Sequence, residues 1–150
     1  MVAPLLEQRG QRLRIRIANH LPEVLADGRR LGQVLINLIL NASKFGAPNT
    51  AIDVTVSSRG GTIRVTVADR GPGVSAEQSD RLFEPYFRGA ATAGSGKDGV
   101  GLGLSIVKSI VEAHNGQVGV ENRQRGGARF WFSLPTVGGP APKAHLSIVS

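Results

Sequence analysis

The chain of 150 residues is predicted to form an α+β domain, with one largely antiparallel sheet covered on one face by helices. Two observations predict this class. Segments with period-two alternation and segments with helical spacing follow one another in the order β-α-β-β-α-α-β-β, which is not the regular alternation of a doubly wound parallel sheet. The length suits a single ordinary domain rather than two independent cores.

Five segments alternate between apolar and polar residues and are predicted to be strands. In the first, leucine and isoleucine occupy one face and three arginines the other, where charge is expected to be solvated. The second and third are joined across Gly60 and Gly61, a hairpin signal. The alternating apolar residues are Leu13, Ile15 and Ile17; Ile52, Val54 and Val56; Ile63, Val65 and Val67; Val118 and Val120; and Ala128, Phe130, Phe132 and Leu134.

Two long segments carry apolar residues at the spacing of one helical face. Asn115 and Gly116 resemble the C-cap of the second, and a shorter helix is predicted over residues 75–83. The apolar residues of the two faces are Leu31, Val34, Leu35, Leu38, Ile39 and Ala42 in the first helix, and Leu102, Ile106, Val107, Ile110 and Val111 in the second.

The composition restricts the function classes. With no cysteine, disulfide frameworks and zinc–thiolate sites are excluded, and neither a membrane-spanning apolar run nor a signal-peptide pattern is present. The net charge of +7 favours an anionic partner. We expect residues 1–11 to end an upstream helix or linker, residues 12–136 to form the domain, and residues 137–150 to be a disordered tail.

The first long helix carries a stripe of polar residues on one side. Gln33, Asn37, Asn41 and Lys44 follow the i, i+4, i+8, i+11 spacing that places side chains on one helical face. A solvated stripe usually carries Glu, Lys and Arg, and asparagine is a poor helix former. An amide offers an oxygen to a hard cation and a donor to a phosphate, so the alternatives are a ligand site and a partly buried helix with satisfied amides.

Asp69 shares the parity of Val65 and Val67, so alternation directs its carboxylate inward at the end of a strand. A buried carboxylate is costly unless something donates to it. Gly71-Pro72-Gly73 follows at once and allows a tight turn with a close neighbour. Taken alone, an Asx-type turn explains the same residues.

Residues 88–103, RGAATAGSGKDGVGLG, are rich in glycine and run into the second long helix. A glycine-rich loop at a helix N-terminus presents free N–H groups and the positive end of the helix dipole, a combination that binds phosphate. The dinucleotide-binding fingerprint is disfavoured because no strand precedes these glycines, and the Walker pattern is absent because Asp98 follows Gly96-Lys97. Together, the stripe, Asp69 and this loop supply the parts of a nucleotide site.

These residues resemble the five sequence boxes of sensor histidine kinases, in the family's order and over about residues 12 to 135. The boxes are similar to the N box (Asn37 to Phe45), the first glycine box (Asp69 to Gly73), the F box (Leu82 to Arg88), the second glycine box (Gly99 to Leu104) and the third (Gly126 to Phe130).

The resemblance implies the Bergerat fold of the GHKL superfamily, a two-layer α/β sandwich with a mixed, mostly antiparallel sheet of about five strands and about three helices on one face. It implies ATP and Mg²⁺ as ligands under a glycine-rich lid. The roles it implies are an acceptor for the adenine amine (Asp69), walls and close approach at the base (Phe45, Gly71, Gly73, Val74), magnesium ligation (Asn41, with Asn37 beside it), phosphate contacts (Lys44, Arg88) and the lid (Gly99, Gly101, Leu102, Gly103).

Two departures from the family pattern matter. Ala128 stands where threonine is common, so a hydroxyl contact near the base is in doubt. His20, His114 and His145 lack the family's phosphoacceptor context, and surface or cap roles are expected for them. The resemblance therefore implies a monomeric catalytic domain that donates phosphate to a histidine on a separate dimerisation domain, acts indirectly on a response regulator, and belongs to a cytoplasmic segment of a protein that can be anchored in the inner membrane.

Three alternatives stay open. A serine kinase that regulates sigma factors belongs to the same superfamily, and a nucleotide-binding scaffold without transfer activity would share the site. A nucleic-acid module would use the basic N-terminal third, from Arg9 to Arg30, although few aromatic residues interleave with those arginines and no nucleic acid is expected as a partner. Dedicated ATPases of the superfamily carry a glutamate base where this chain has Asn37, so negligible hydrolysis is expected.

Overall fold

The computed structural model describes residues 2–84 and 103–137, and all structural statements concern these residues. None of the helices in this part is both long and apolar enough to cross a membrane. The elements are α1 (Val2–Gln8), β1 (Arg12–Ile17), α2 (Gly28–Phe45), β2 (Ala51–Arg59), β3 (Thr62–Ala68), α3 (Ala76–Ser79), α4 (Gly103–Ala113), β4 (Gln117–Asn122) and β5 (Ala128–Pro135).

The strands form one mixed sheet in the order β1-β2-β3-β5-β4. Only the β1–β2 pair is parallel, because α2 crosses back between these two strands, and the other three pairs are antiparallel. The α+β class, the five strands and the helices on one face are thus confirmed. The register of β3 with β5 pairs Ala68 with Arg129, which brings Asp69 to the beginning of β5.

Local signals in the sequence account for the element boundaries. The Asp27 carboxylate caps α2 by accepting from the backbone N–H of Arg29 at 3.0 Å. Gly60 and Gly61 both have positive φ and close the two-residue β2–β3 hairpin, as predicted. Helix α4 ends at Ala113, and Asn115, two residues further on, has a φ of 65°. The Asn115 and Gly116 N–H groups donate to the carbonyls of Glu112 and Val111 in a Schellman arrangement.

The core lies between the sheet and two helices. Helix α2 packs over β2 and β3, α4 packs over β4 and β5, and the two helices contact each other. The apolar faces predicted for both helices supply its centre, where burial removes apolar surface from water. The largest fully buried side chains are Leu38, Ile52, Val34, Val67, Val107, Val111 and Ser43.

Two elements differ from the sequence prediction. The helix predicted over residues 75–83 extends only over Ala76–Ser79, because the chain continues in tight turns that bring Leu82 to a cavity and Phe83 edge-on against Phe130, 6.5 Å between ring centroids. Strand β1 alternates as predicted, but it lies at the sheet edge, and both of its faces are exposed.

The segment that joins α1 to β1 is fastened to the end of α2. The buried Gln11 side chain donates to the carbonyls of Ser43 and Ala47, both at 3.2 Å, and accepts from the Ser43 hydroxyl at 2.6 Å. Arg9 donates to the carbonyl of Gly46 at 2.8 Å. These bonds satisfy carbonyls that a helix end leaves open, and they hold the C-terminal turn of α2 where it meets the candidate site.

Candidate functional site

A cavity of about 470 Å³, including its part open to solvent, lies at the C-terminal end of α2. Helix α2, the loop after β3, the α3 region and the beginning of β5 form its walls. The lining residues are Asn41, Phe45, Asp69, Pro72, Gly73, Val74, Gln78, Leu82, Ala128 and Phe130.

Asp69 is the buried acid of this cavity, with a relative exposure of 2%. One carboxylate oxygen, Oδ1, accepts from the backbone N–H of Gly71 at 2.9 Å and of Ala128 at 3.1 Å. No described residue donates a hydrogen bond to the second oxygen. The two bonds hold the carboxylate in place and leave its second oxygen as an acceptor for a bound molecule. The inward direction of the side chain is the one that strand parity predicted.

The pKa of Asp69 is raised above 3.8, chiefly because burial penalises the charged form. The two backbone N–H groups and the charge of Arg123 act in the opposite direction and limit the rise. Arg123 also donates from Nη1 to the backbone carbonyl of Asp69 at 3.0 Å. Asp69 therefore lies in a weakly polar site where one added donor is worth more than at the surface.

The polar stripe of α2 meets the cavity at Asn41. The Asn41 Nδ2 atom is buried and has no hydrogen-bond partner among the described residues, an unusual state for an interior amide. One turn earlier, Asn37 donates to the carbonyl of Gly103 at 3.4 Å, linking α2 to the first residue of α4. The Lys44 ammonium lies 5.5 Å from the centroid of the Phe45 ring.

The two glycines of the loop after β3 have different environments. Gly73 lines the cavity and has a φ of 84°, a conformation that favours glycine. Gly71 does not line it. A Cβ at Gly71 would overlap the carbonyl oxygen of Phe45, so Gly71 lets the loop lie directly against the end of α2. The resemblance implied that Gly71 lets the backbone approach the base. In the structure, Gly71 instead lets the loop approach the backbone of Phe45.

Several site residues predicted from the sequence lie outside the described residues. Arg88, Gly99, Gly101 and Leu102 belong to this group, as does the predicted tail from residue 138 onward. Gly103 is described and begins α4. His114 has the cap role expected for it, because its two ring nitrogens bond the Ile110 carbonyl at 2.8 Å and the Asp27 N–H at 3.1 Å.

Sequence reasoning missed the residues that support the cavity from β4. Asn122, the last residue of β4, makes two hydrogen bonds to the backbone of Val74, and Arg123 bonds Asp69. Nothing in the sequence pattern distinguishes them, because both belong to the run of polar residues before Gly126-Gly127. Ala128 was singled out for its missing hydroxyl, yet its contact with Asp69 uses the backbone N–H, which any residue provides.

The side chains at the cavity can bind a divalent cation only together with a bound molecule that supplies further oxygen ligands. Within residues 2–84 and 103–137, no three His, Asp or Glu side chains are grouped to hold a metal. The unpartnered Asn41 amide lies at the cavity, and a half-turn of the amide presents its oxygen instead of its nitrogen. Hard cations take such oxygens together with phosphate oxygens, so Asn41 fits a magnesium ion that a bound polyphosphate would share.

Known proteins resemble the chain over most of its length. Residues 26–138 match the family model "Histidine kinase-, DNA gyrase B-, and HSP90-like ATPase". Sensor histidine kinase ZraS of Escherichia coli (strain K12) is 41% identical over 82% of this chain and 25% of that protein. Adaptive-response sensory kinase SasA of Gloeothece citriformis is 39% identical over 79% of this chain and 30% of that protein. The chain thus spans about a quarter to a third of these relatives.

Solved structures share the fold. The nucleotide-free catalytic domain of histidine kinase ThkA superposes with a TM-score of 0.76 at 32% identity, covering 89% of this chain and 84% of that one. Full-length ShkA in complex with AMPPNP gives a TM-score of 0.78 at 35% identity, covering 95% of this chain and 28% of that one. The chain therefore belongs to the family of histidine kinase-, DNA gyrase B- and HSP90-like ATPases, with the catalytic-domain fold of the sensor histidine kinases.

Proposed function

We propose that this domain binds Mg-ATP and donates the γ-phosphoryl group to a histidine on a separate dimerisation domain of a two-component sensor kinase. The observation that carries the proposal is Asp69, a buried carboxylate whose Oδ1 is occupied by two backbone N–H groups while no described donor reaches the other oxygen. Support comes from a relative bound to AMPPNP and from ThkA in complex with the response regulator TrrA.

At the base end, the remaining oxygen of Asp69 accepts the amine of adenine. Phe45 and Val74 supply apolar walls on opposite elements, which favours an aromatic ring over a flexible chain. Gly73 keeps that wall free of a side chain, and Gly71 holds the loop against α2.

At the phosphate end, Asn41 would hold a magnesium ion, and Asn37 lies one turn before it. When bound, the metal neutralises charge on the phosphates and aligns them. Lys44 contributes a further positive charge from the last turn of α2. We assign phosphate contacts also to Arg88, and the lid that covers the nucleotide to Gly99, Gly101, Leu102 and Gly103.

The transfer breaks the bond between the γ-phosphorus and its bridging oxygen and forms a bond from that phosphorus to an imidazole nitrogen of the acceptor, leaving ADP. The domain contributes positioning and charge neutralisation rather than a nucleophile. Asn37 cannot take a proton from water at neutral pH, so the site favours transfer over hydrolysis. The response regulator then receives the phosphoryl group from the acceptor histidine.

We expect Asn41→Ala to weaken ATP binding about tenfold in the presence of magnesium, on the order of one charge-assisted ligand contact. In EDTA the wild type and the variant should bind ATP with the same, weaker affinity, because the amide acts through the metal. Isothermal titration calorimetry with and without magnesium measures both values.

Gln33→Ala is the matched control for this experiment. Gln33 is an exposed amide two turns earlier on the same helix and does not line the cavity, so its removal should change neither affinity. An Asn41→Ala defect of equal size in EDTA would contradict the metal role and would leave a steric or folding effect as its cause.

Phosphotransfer is tested by mixing the domain with a dimerisation domain that carries an acceptor histidine, using γ-labelled ATP. An acid-labile, base-stable label on that domain is the expected result, since phosphohistidine hydrolyses in acid. An acid-stable label on a serine of a small antagonist protein would favour the sigma-factor kinases instead, and binding of ATP with no transfer to either would favour a scaffold.

A further inference from the structure

Val74, which lines the cavity, is held by one side chain from β4. The Val74 backbone N–H donates to Asn122 Oδ1 at 2.8 Å, and Asn122 Nδ2 donates to the Val74 carbonyl at 2.8 Å. Val74 lies in an irregular segment between β3 and α3, where no strand partner supplies such bonds. The primary amide presents a donor and an acceptor side by side, so Asn122 takes the place of a neighbouring strand for this one residue.

The neighbouring residues are arranged to let this pairing form. Gly73 has a φ of 84°, and a Cβ at this position would lie 2.7 Å from Asn122 Oδ1, closer than side-chain atoms tolerate. Asn122 itself is paired with Ala128 at the end of the β4–β5 ladder. Its position is therefore fixed by the same strand pair that fixes Ala128, one of the two donors to Asp69.

Asn122 and Arg123 together fix both ends of the loop. Arg123 holds the carbonyl of Asp69 at 3.0 Å, and Asn122 holds Val74. The Asn122 side chain is not among the lining residues of the cavity, so we expect it to act on a bound molecule through the loop. The distance from the Asp69 carboxylate to the Val74 wall is thereby set from outside the cavity.

We infer that Asn122 is a positioning residue that sets base selectivity at the nucleotide site. The inference rests on the proposed function, since it treats the cavity as an adenine site. With Val74 fixed, a purine is held in one plane and must present its amine to Asp69. With Val74 released, the base can shift, and guanine, which carries an oxygen acceptor at the place of the adenine amine, is rejected less strongly.

The test compares ATP and GTP affinities of the wild type and Asn122→Ala by calorimetry in magnesium. We expect ATP affinity to fall about tenfold, as for the loss of two exposed hydrogen bonds, and the preference for ATP over GTP to narrow by a similar factor. Hydrogen exchange at the Val74 amide should become faster in the variant. Gln124→Ala is the control, because Gln124 is exposed in the β4–β5 connection and does not line the cavity.

The outcomes separate the inference from the proposed function. If the wild type binds neither nucleotide, the proposed function fails. If the wild type prefers ATP and Asn122→Ala keeps the same preference, the inference is wrong even when the overall affinity or the melting temperature falls, since a general loss of stability weakens both nucleotides equally. Unchanged exchange at Val74 would likewise overturn it.

Discussion

Asp69→Asn weakens Mg-ATP binding about 100-fold and leaves the domain folded: this is the largest functional effect we expect from one substitution. Asparagine keeps an oxygen that can accept from Gly71 and Ala128, at the positions where Asp69 Oδ1 accepts at 2.9 and 3.1 Å. Its second group is an NH₂, a donor, which would face the amine of adenine. Replacing the charged acceptor by a donor costs about 1.5–3 kcal/mol in all, as for one hydrogen bond to a charged group, and a factor of 100 corresponds to about 2.7 kcal/mol.

The measurement is calorimetric titration of Mg-ATP and of ATP in EDTA into the variant. Because Asp69 is assigned to the base and not to the metal, the loss should have the same size in both conditions, unlike the loss for Asn41→Ala. An Asp69→Asn variant that binds ATP as tightly as the wild type would remove Asp69 from the site and with it the base end of the proposal.

The same substitution has an opposite effect on stability. Because burial raises the Asp69 pKa above 3.8, the folded protein holds this proton more tightly than the unfolded chain does. The contribution of Asp69 to the unfolding free energy is therefore fully present below about pH 3.8 and is lost as the pH rises through the raised value. At neutral pH, Asp69→Asn should be at least as stable as the wild type.

Urea unfolding of both proteins between acid and neutral pH checks this sign. The wild type should lose stability relative to Asp69→Asn as the pH increases from about 3.8 through the raised pKa of Asp69. Above that pKa the difference in unfolding free energy between the two proteins should be constant. A variant that is much less stable than the wild type at neutral pH would mean that the ionised Asp69 carboxylate stabilises the fold. Its burial would then not be a loss of stability that is retained for ligand binding.

The elements that the sequence predicted are those specified by local patterns. The parity of Asp69 with Val67 was sufficient to predict its burial, and the helical spacing around Leu38 was sufficient to predict the core face of α2, because both patterns depend on backbone periodicity alone. The β2–β3 hairpin followed from Gly60-Gly61 for the same reason, since two adjacent residues with positive φ specify the turn.

What could not be predicted depends on contacts between distant segments. Asn122 is 48 residues from Val74, and the pairings of β3 with β5 and of β5 with β4 bring them together. The predicted helix of residues 75–83 was too long because contacts of Leu82 and Phe83 with the cavity and with Phe130 outweigh local helix preference. The exposure of β1 goes with its position at the edge of the sheet, which the alternation of a single strand does not contain.

Gly71→Ala should destabilise the domain by about 2–3 kcal/mol, the upper part of the range for overpacking. The added Cβ would overlap the Phe45 carbonyl oxygen and lie 3.2 Å from the Cα of Gly46. Both are backbone atoms, so no side-chain rotation relieves the overlap. The loop must move away from α2 and carry Asp69 with it, so ATP binding should fall together with the melting temperature.

Gly32→Ala is the matched control, because it is the same chemical change within α2 and a Cβ there meets nothing within 4 Å. Replacing a glycine by alanine inside a helix stabilises it by about 0.5–1 kcal/mol, so this variant should melt at a higher temperature than the wild type and bind ATP unchanged. Thermal unfolding followed by circular dichroism gives both shifts. If Gly71→Ala and Gly32→Ala shift the melting temperature in the same direction, the close packing of the Asp69 loop on the end of α2 does not hold the site together, and the position of Asp69 must then depend on β5 alone.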